Sequence, residues 1–117
     1  HILVVDDNQD LLDYLRMLLA PRYQITCALN GKEALDLLSE LMPDLVISDV
    51  MMPVMDGMEL CRKIKQNFRT SHLPVVLLTA KVETGDYVEG LENGADLYVA
   101  KPFSSDIIKA QIHSLLS

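Results

Sequence analysis

Short apolar runs alternate along this chain with segments in which apolar residues recur every three or four positions. The runs predict five β-strands, at Ile2–Val5, Gln24–Ala28, Asp44–Ser48, Pro74–Thr79 and Leu97–Ala100. The third and fourth runs are apolar at successive rather than alternate positions. That pattern is typical of strands buried on both faces of a parallel sheet.

The segments between and after these strands predict five helices. Each begins at a residue that favours the N-cap position, namely Asn8, Asn30, Asp56, Thr84 and Ser104. A glutamate follows Asn30 and Asp56 by three residues, which is the spacing of a capping box. The apolar residues after each cap fall on one helical face, and this pattern extends the second helix to Leu41 and the third to Phe68.

Strands and helices that alternate in this way predict an α/β fold, a doubly wound parallel sheet with five strands and five helices. With 117 residues, the chain is expected to form one domain that spans residues 1–117. It lacks an initiator Met and begins almost inside its first strand, so we expect it to be a fragment of a longer protein.

Charge and composition narrow the class of partner. The net charge is −7 and no basic patch stands out, which argues against direct nucleic-acid binding by this domain. No apolar run approaches the roughly 20 residues of a membrane span, and no signal peptide is evident. We therefore expect a cytoplasmic domain without membrane contact. Cys27 and Cys61 lack metal-ligand spacing and are expected to be small buried side chains in a reducing compartment.

Polar residues lie at the ends of four of the five predicted strands. Asp6 and Asp7 follow the first strand, Asp49 the third and Lys101 the fifth, while Thr79 ends the fourth. The carboxyl ends of parallel strands meet at one edge of a sheet, where open sheets of this class bind ligands. We therefore expect these five side chains to converge.

Three carboxylates at one edge need a compensating charge. Two like charges 4 Å apart repel by about 4 kcal/mol at an effective dielectric constant near 20. Either a proton or a divalent cation relieves this repulsion, and Mg²⁺ suits oxygen ligands best. Asp6 and Asp7 are suited to hold the metal, directly or through water. Asp49 ends a central strand and is the best candidate for a nucleophile that forms an aspartyl phosphate, with Lys101 and Thr79 neutralising charge on the phosphoryl group.

At these residues the chain resembles the receiver (response-regulator) family of two-component signalling, over essentially its whole length. The segments that carry the resemblance are VVDDN at 4–8, SDVMMPVMDG at 48–57, LLTA at 77–80 and LYVAKPF at 97–103. The resemblance implies a flavodoxin-like fold with strand order 2-1-3-4-5. It also implies that Asp49 accepts a phosphoryl group from the phosphohistidine of a histidine kinase.

Further roles are implied by the same resemblance. Asp6, Asp7, Asp49 and the backbone carbonyl of Met51 would hold Mg²⁺. Lys101 would contact the phosphate, and a cis peptide bond is expected before Pro102. Structural roles fall to Pro53 and Gly57, in the turn after the phosphoacceptor.

The resemblance also implies partners and a parent protein. The expected partners are a histidine kinase phosphotransfer domain, in the same or a separate chain, and an output domain or a second receiver. The output partner would bind the face formed by the fourth helix, the fifth strand and the fifth helix. The segment GLENGADLYVAKPFSSDII at 90–108 resembles receivers embedded in hybrid histidine kinases that regulate transcription. Such a parent would place this domain in the cytosolic part of a membrane-anchored protein.

A switch is expected near the output face. The predicted fourth helix, Thr84–Asn93, contains two glycines and is followed by a third, so it is weakly stabilised. In the family mechanism, phosphate on Asp49 draws in the Thr79 hydroxyl, and Tyr98 turns into the space it leaves. A solvated acidic surface, by contrast, is expected to include Asp86, Glu89, Glu92 and Asp96.

Two other classes of protein, and a degenerate receiver, compete with this interpretation. A haloacid-dehalogenase-like phosphatase requires a second Asp two residues after the nucleophile, where this chain has Met51. An FMN-binding flavodoxin requires a Ser-, Thr- or Gly-rich loop after the first strand, where this chain has DDNQD at 6–10. A receiver that serves only for docking need not retain the acidic, threonine and lysine residues.

We expect a phosphorylatable switch rather than a turnover enzyme, with slow self-dephosphorylation because apolar Met51 positions no water. Lys81, two residues after Thr79, could attract either water or phosphate, so the direction of its effect on the phosphate lifetime is left open.

Overall fold

The computed structural model describes residues 1–80, 88, 92 and 94–117. Five parallel strands form one sheet in the order β2-β1-β3-β4-β5. The strands are β1 Ile2–Val5, β2 Ile25–Ala28, β3 Leu45–Asp49, β4 Val75–Thr79 and β5 Leu97–Ala100. The fold class and strand order predicted from the sequence are confirmed.

Four helices accompany the sheet in the described part of the chain. They are α1 Gln9–Leu19, α2 Gly31–Leu38, α3 Gly57–Gln66 and α4 Ser105–Leu116. The helix predicted at Thr84–Asn93 lies outside the described residues except for positions 88 and 92. None of the described helices is long and apolar enough to cross a lipid bilayer.

Each described helix begins at its predicted cap. The side chains of Asn8, Asn30, Asp56 and Ser104 accept hydrogen bonds from backbone N–H groups in the first turn of α1, α2, α3 and α4 respectively. The capping box of α2 is shifted by one residue, because Glu33 accepts from the N–H of Leu29 at 3.4 Å rather than from Asn30.

Both faces of the sheet are covered, which explains the continuous apolar strands. Every residue of β3 and β4 is buried. Leu3, Val46 and Leu77 pack with the buried residues of α2 and α3 on one face. Val4 and Ile47 pack with those of α1 and α4 on the other. The parallel pairing within the sheet aligns the carboxyl ends of the strands, and the site is built on them.

Two helix extensions predicted from apolar spacing are wrong. Leu41 lies beyond the end of α2, and Phe68 lies beyond the end of α3 with a side chain that is 98% exposed. Asn67 ends α3 because its backbone is extended (φ −88°, ψ 120°) and its side chain accepts a hydrogen bond from the N–H of Arg69 at 2.9 Å. A side chain that bonds to its own backbone in this way competes with helix continuation.

Asp96 is exposed, as expected of a residue on an acidic surface, but its carboxylate also makes specific contacts. Its carboxylate accepts a hydrogen bond from the N–H of Val75 at 2.8 Å and lies 3.1 Å from Nζ of Lys65. The side chain therefore joins the start of β4, the residue before β5 and the end of α3. The amino-acid sequence alone does not reveal the contact between Lys65 and Asp96, because the two residues are distant along the chain.

Candidate phosphoacceptor site

The predicted site residues lie at the carboxyl edge of the sheet. Asp6 and Asp7 follow β1, Asp49 ends β3, Thr79 ends β4 and Lys101 follows β5. Regular pairing brings these ends level: Asp49 is opposite Leu78, and the N–H of Lys101 donates to the carbonyl of Thr79 at 2.7 Å. The sheet alone therefore places the four segments side by side.

Three carboxylates meet at this edge. One oxygen from each of Asp6, Asp7 and Asp49 can be chosen so that all three lie within 4.8 Å of one another. Asp6 and Asp49 are buried, while Asp7 is exposed. One side of the cluster is thus enclosed by protein and the other is open to solvent.

Lys101 provides the positive charge of the cluster. Its Nζ lies 2.8 Å from Oδ1 of Asp49 and 3.5 Å from Oδ2 of Asp6. Three ionised carboxylates and one ammonium leave two negative charges uncompensated. Oxygen ligands with that residual charge suit a hard divalent cation such as Mg²⁺, so the donor set fits the predicted metal.

The surroundings of Asp6 disfavour its charged form. Burial raises the pKa of Asp6 above its ordinary value, and the nearby charge of Asp49 acts in the same direction. The N–H of Asn8, which donates to Oδ1 of Asp6 at 2.8 Å, and the ammonium of Lys101 oppose this shift without cancelling it. A cation between the carboxylates would offset the same cost.

Asn8 is a contributor that the sequence interpretation did not assign to the site. Its side chain caps α1 while its backbone N–H orients the carboxylate of Asp6. The N-cap pattern could have indicated it, because a cap that directly follows the acidic pair fixes the loop carrying that pair.

Thr79 and Tyr98 occupy neighbouring strands but different depths of the site. Thr79 is buried at the end of β4. Tyr98 is buried in β5 opposite Leu77, within the core on the α2 and α3 side. Both predicted switch residues are therefore enclosed by protein, with Thr79 at the carboxyl edge and Tyr98 two residues before the end of β5.

The connection from β3 into α3 is shaped by two unusual backbone positions, one in the loop and one at the first residue of α3. A Cβ added to Gly57 would lie 2.1 Å from the carbonyl oxygen of Asp49, so only glycine fits beside the candidate phosphoacceptor. Val54 has φ +72°, in the left-handed region that a β-branched residue rarely adopts. Pro53 lies between them and Asp49, and its carbonyl accepts from the N–H of Met55 at 2.8 Å.

The remaining predicted residues, Met51 and Pro102, are exposed. The side chain of Met51 is 65% exposed. The peptide bond between Lys101 and Pro102 is cis. Every residue predicted for the site is described in the structure, and those with charged side chains come together around Asp49.

Comparison with known proteins identifies the family. A profile of the response regulator receiver domain matches residues 2–113. The chain belongs to the response regulator receiver family. The expected resemblance is thereby confirmed, and the comparisons give the haloacid-dehalogenase alternative no support.

Relatives of this receiver domain include a kinase. Histidine kinase P4 of Formosa agariphila is 47% identical over 115 residues, which are 98% of this chain and 8% of that protein. The chain thus spans less than a tenth of the length of this relative, and the activity of the whole kinase is not carried over by the match.

Two solved structures share the fold closely. The signal receiver domain of a signal transduction histidine kinase from Syntrophus aciditrophicus is 40% identical, with a TM-score of 0.92, over 98% of this chain and 88% of that one. The BeF3-activated DrrB receiver domain is 34% identical, with a TM-score of 0.90, over 98% of this chain and 95% of that one.

Proposed function

We propose that this receiver domain accepts a phosphoryl group on Asp49 from the phosphohistidine of a histidine kinase. The observation that carries the proposal is the position of Asp49, which ends β3 beside two further carboxylates and 2.8 Å from the ammonium of Lys101. Phosphoryl transfer depends mainly on positioning and on charge neutralisation, and these groups supply both.

The transfer exchanges one bond for another. A carboxylate oxygen of Asp49 forms a bond to phosphorus, the bond from phosphorus to the imidazole nitrogen of the donor breaks, and its electron pair returns to that nitrogen. The negative charge of the Asp49 carboxylate is replaced in this step by the charge on the phosphoryl oxygens. Lys101 can then pair with a phosphoryl oxygen, because the ammonium already lies within hydrogen-bonding distance of the carboxylate.

We propose that Mg²⁺ is held by Asp6, Asp7, Asp49 and the backbone carbonyl of Met51. The ion would neutralise charge on the carboxylates and on the phosphoryl oxygens when bound. The clustering of the three carboxylate oxygens and the two uncompensated charges support this assignment. Asn8 supports it indirectly, since its N–H holds the Asp6 carboxylate in place.

The switch is proposed to run through Thr79 and Tyr98. Phosphate on Asp49 would attract the buried hydroxyl of Thr79, and Tyr98 would move towards the space that the hydroxyl leaves. Hydrogen exchange with and without beryllium fluoride tests this step. Slower exchange is expected at the ends of β4 and β5, and unchanged exchange at both strands would reject the switch.

Met51 is proposed to prolong the lifetime of the phosphorylated state. Its side chain is exposed and carries no group that could orient a water molecule towards phosphorus. Met51→Asn would supply such a group and is expected to shorten the lifetime. An unchanged lifetime in that variant would remove Met51 from the account.

A hybrid two-component regulator that controls transcription is the proposed parent, with this domain on the cytoplasmic side. Its phosphotransfer partner would belong to the same or a separate chain, and its output partner would bind the face that includes β5 and α4. The similarity to a much longer histidine kinase supports a parent of this kind.

Phosphorylation by a small-molecule donor tests the proposal. The chain is incubated with Mg²⁺ and acetyl phosphate and its intact mass is measured. One added phosphoryl group is expected in the natural chain and in Asp36→Asn, whose substituted side chain is exposed on α2. None is expected in Asp49→Ala, and omission of Mg²⁺ should strongly reduce the product. Equal modification of Asp49→Ala would refute the role of Asp49.

A further inference from the structure

Basic residues are concentrated at the end of α3, although the chain as a whole is acidic. The segment 62–69 contains four of the ten lysine and arginine residues of a chain whose net charge is −7. They are Arg62, Lys63, Lys65 and Arg69. Because α3 runs antiparallel to the strands, its end lies at the edge of the sheet opposite Asp49.

These four basic residues differ in how far internal contacts occupy them. Lys65 donates to the carbonyl of Leu73 at 2.7 Å and pairs with Asp96. Arg62 lies 3.7 Å from Glu59. Arg69 donates through one nitrogen to the carbonyl of Ser39 at 2.9 Å, which is one of the five N–H bonds of a guanidinium. In the described part of the chain, Lys63 forms no ion pair with an acidic side chain.

A cleft of about 470 Å³ separates the ends of α2 and α3 at this position. Leu35 and Leu38 contribute apolar surface to it, and Lys63 and Arg69 contribute positive charge. Its polar remainder comes from hydroxyl and amide side chains, those of Ser39, Gln66, Asn67 and Thr70. Among the described residues that line the cleft, none is acidic.

Phe68 lies between two of the lining residues in the sequence, and its side chain is 98% exposed. A nearly fully exposed phenylalanine contributes nothing to the core of this domain. Isolated exposed apolar residues are common on protein surfaces. The two chain neighbours of this one, however, line a cleft that combines apolar surface with positive charge. Aromatic and arginine side chains together are typical of protein interfaces.

We propose that the cleft between α2 and α3, together with Phe68, binds an acidic protein segment that carries an apolar residue. The apolar residue would pack on Leu35 and Leu38, and its flanking carboxylates would pair with Lys63 and Arg69. Long polyanions such as nucleic acid or an anionic membrane are disfavoured, because the net charge of −7 repels them beyond this patch. A short acidic segment requires only local complementarity.

The proposal is tested with an acetylated and amidated model peptide, Glu-Leu-Glu-Glu-Leu-Glu, titrated into the isotope-labelled chain. Saturable shifts in the amide NMR signals of residues 35–39 and 63–70 are expected, and raised salt should weaken them. Lys63→Glu and Phe68→Ser are each expected to weaken binding by about fivefold or more. Lys32→Glu is the matched control: it makes the same charge reversal on an exposed lysine in the first turn of α2 and should leave binding nearly unchanged.

Several results would overturn the proposal. One is the absence of saturable shifts in this region with the acidic peptide. Another is an equal loss of affinity in Lys32→Glu, since that would show only a general charge effect. Tighter binding of phosphatidylserine vesicles or of a single-stranded oligonucleotide would assign the patch to a different class of partner. Each variant is also tested for phosphorylation by acetyl phosphate, which a defect confined to this cleft leaves intact.

Discussion

At the scale of the residue, the surroundings of Asp6 disfavour the ionised form of its side chain. Burial keeps the pKa of Asp6 above its ordinary value. The Asp6 carboxyl group therefore binds its proton more tightly in the folded chain than in the unfolded chain. The contribution of Asp6 to stability is therefore present below the ordinary pKa of 3.8 and is lost as the pH rises through the raised value. At neutral pH without a divalent cation, ionised Asp6 destabilises the fold.

Asp6→Asn is accordingly expected to stabilise the metal-free chain at pH 7 by roughly 1 kcal/mol. The amide keeps an oxygen that accepts from the N–H of Asn8, while the charge is removed. Urea unfolding at pH 7 and at low pH measures the effect, which should shrink at low pH. Glu40→Gln, an exposed charge removal beyond α2, is the control and should have little effect. A destabilised Asp6→Asn at pH 7 would contradict this description of the cluster.

Val54 is a second residue whose conformation lowers the stability of the folded chain. Its φ of +72° is in the left-handed region, and 78% of its side chain is exposed, so little packing offsets the strain. Left-handed backbone costs an ordinary residue about 1–2 kcal/mol, which exceeds the cost of the extra freedom of glycine in the unfolded chain.

Val54→Gly is therefore expected to raise the free energy of unfolding by up to about 1 kcal/mol. Val54→Ala, which keeps a Cβ, should give a smaller gain. Thermal or urea unfolding of the three chains decides the matter. Destabilisation by glycine, the ordinary result at an exposed loop valine without strain, would show that Val54 is not strained in solution.

At the scale of the element, the contact between α3 and the start of β5 fixes the strand that leads to Lys101. Asp96 accepts from the N–H of buried Val75 and pairs with Lys65. Gly94, at φ +95°, lets the backbone pass close to the Lys65 side chain, because an added Cβ would lie 2.8 Å from its Cγ. This contact positions β5 at the end opposite the phosphoacceptor.

Asp96→Ala is expected to destabilise the chain by about 1–3 kcal/mol, since it leaves the buried N–H of Val75 without its acceptor. Asp96→Asn retains an acceptor oxygen and should lose much less. Urea unfolding compares the two variants. Equal losses would assign the effect to the charge pair with Lys65 rather than to the hydrogen bond with Val75.

The elements themselves were largely predictable because their signals are local. Continuous apolar runs indicated the buried strands, and Asn8, Asn30, Asp56 and Ser104 opened helices as expected. The helix ends were not predictable from apolar spacing, because Phe68 keeps the helical period after Asn67 has already left the helix. The pairing of Lys65 with Asp96 was missed for another reason: it depends on how separate elements pack.

At the scale of the whole molecule, the sheet places opposite chemistry at its two edges. The carboxyl edge gathers acidic residues from β1 and β3 around Lys101, and the other edge gathers basic residues at the end of α3. The first arrangement follows from parallel topology and could be predicted from polar residues at strand ends. The basic residues of segment 62–69 can also be read from the sequence. The cleft between α2 and α3 cannot, because it forms only when the two helix ends meet.

The central claim is that Asp49, among the three clustered carboxylates, receives the phosphoryl group. The most direct measurement is to phosphorylate the chain with acetyl phosphate and Mg²⁺, reduce the acyl phosphate with borohydride, and locate the reduced residue by peptide mass spectrometry. The account predicts homoserine at position 49 alone. Reduction at Asp6 or Asp7, or a phosphoryl group found instead on a histidine, would contradict it.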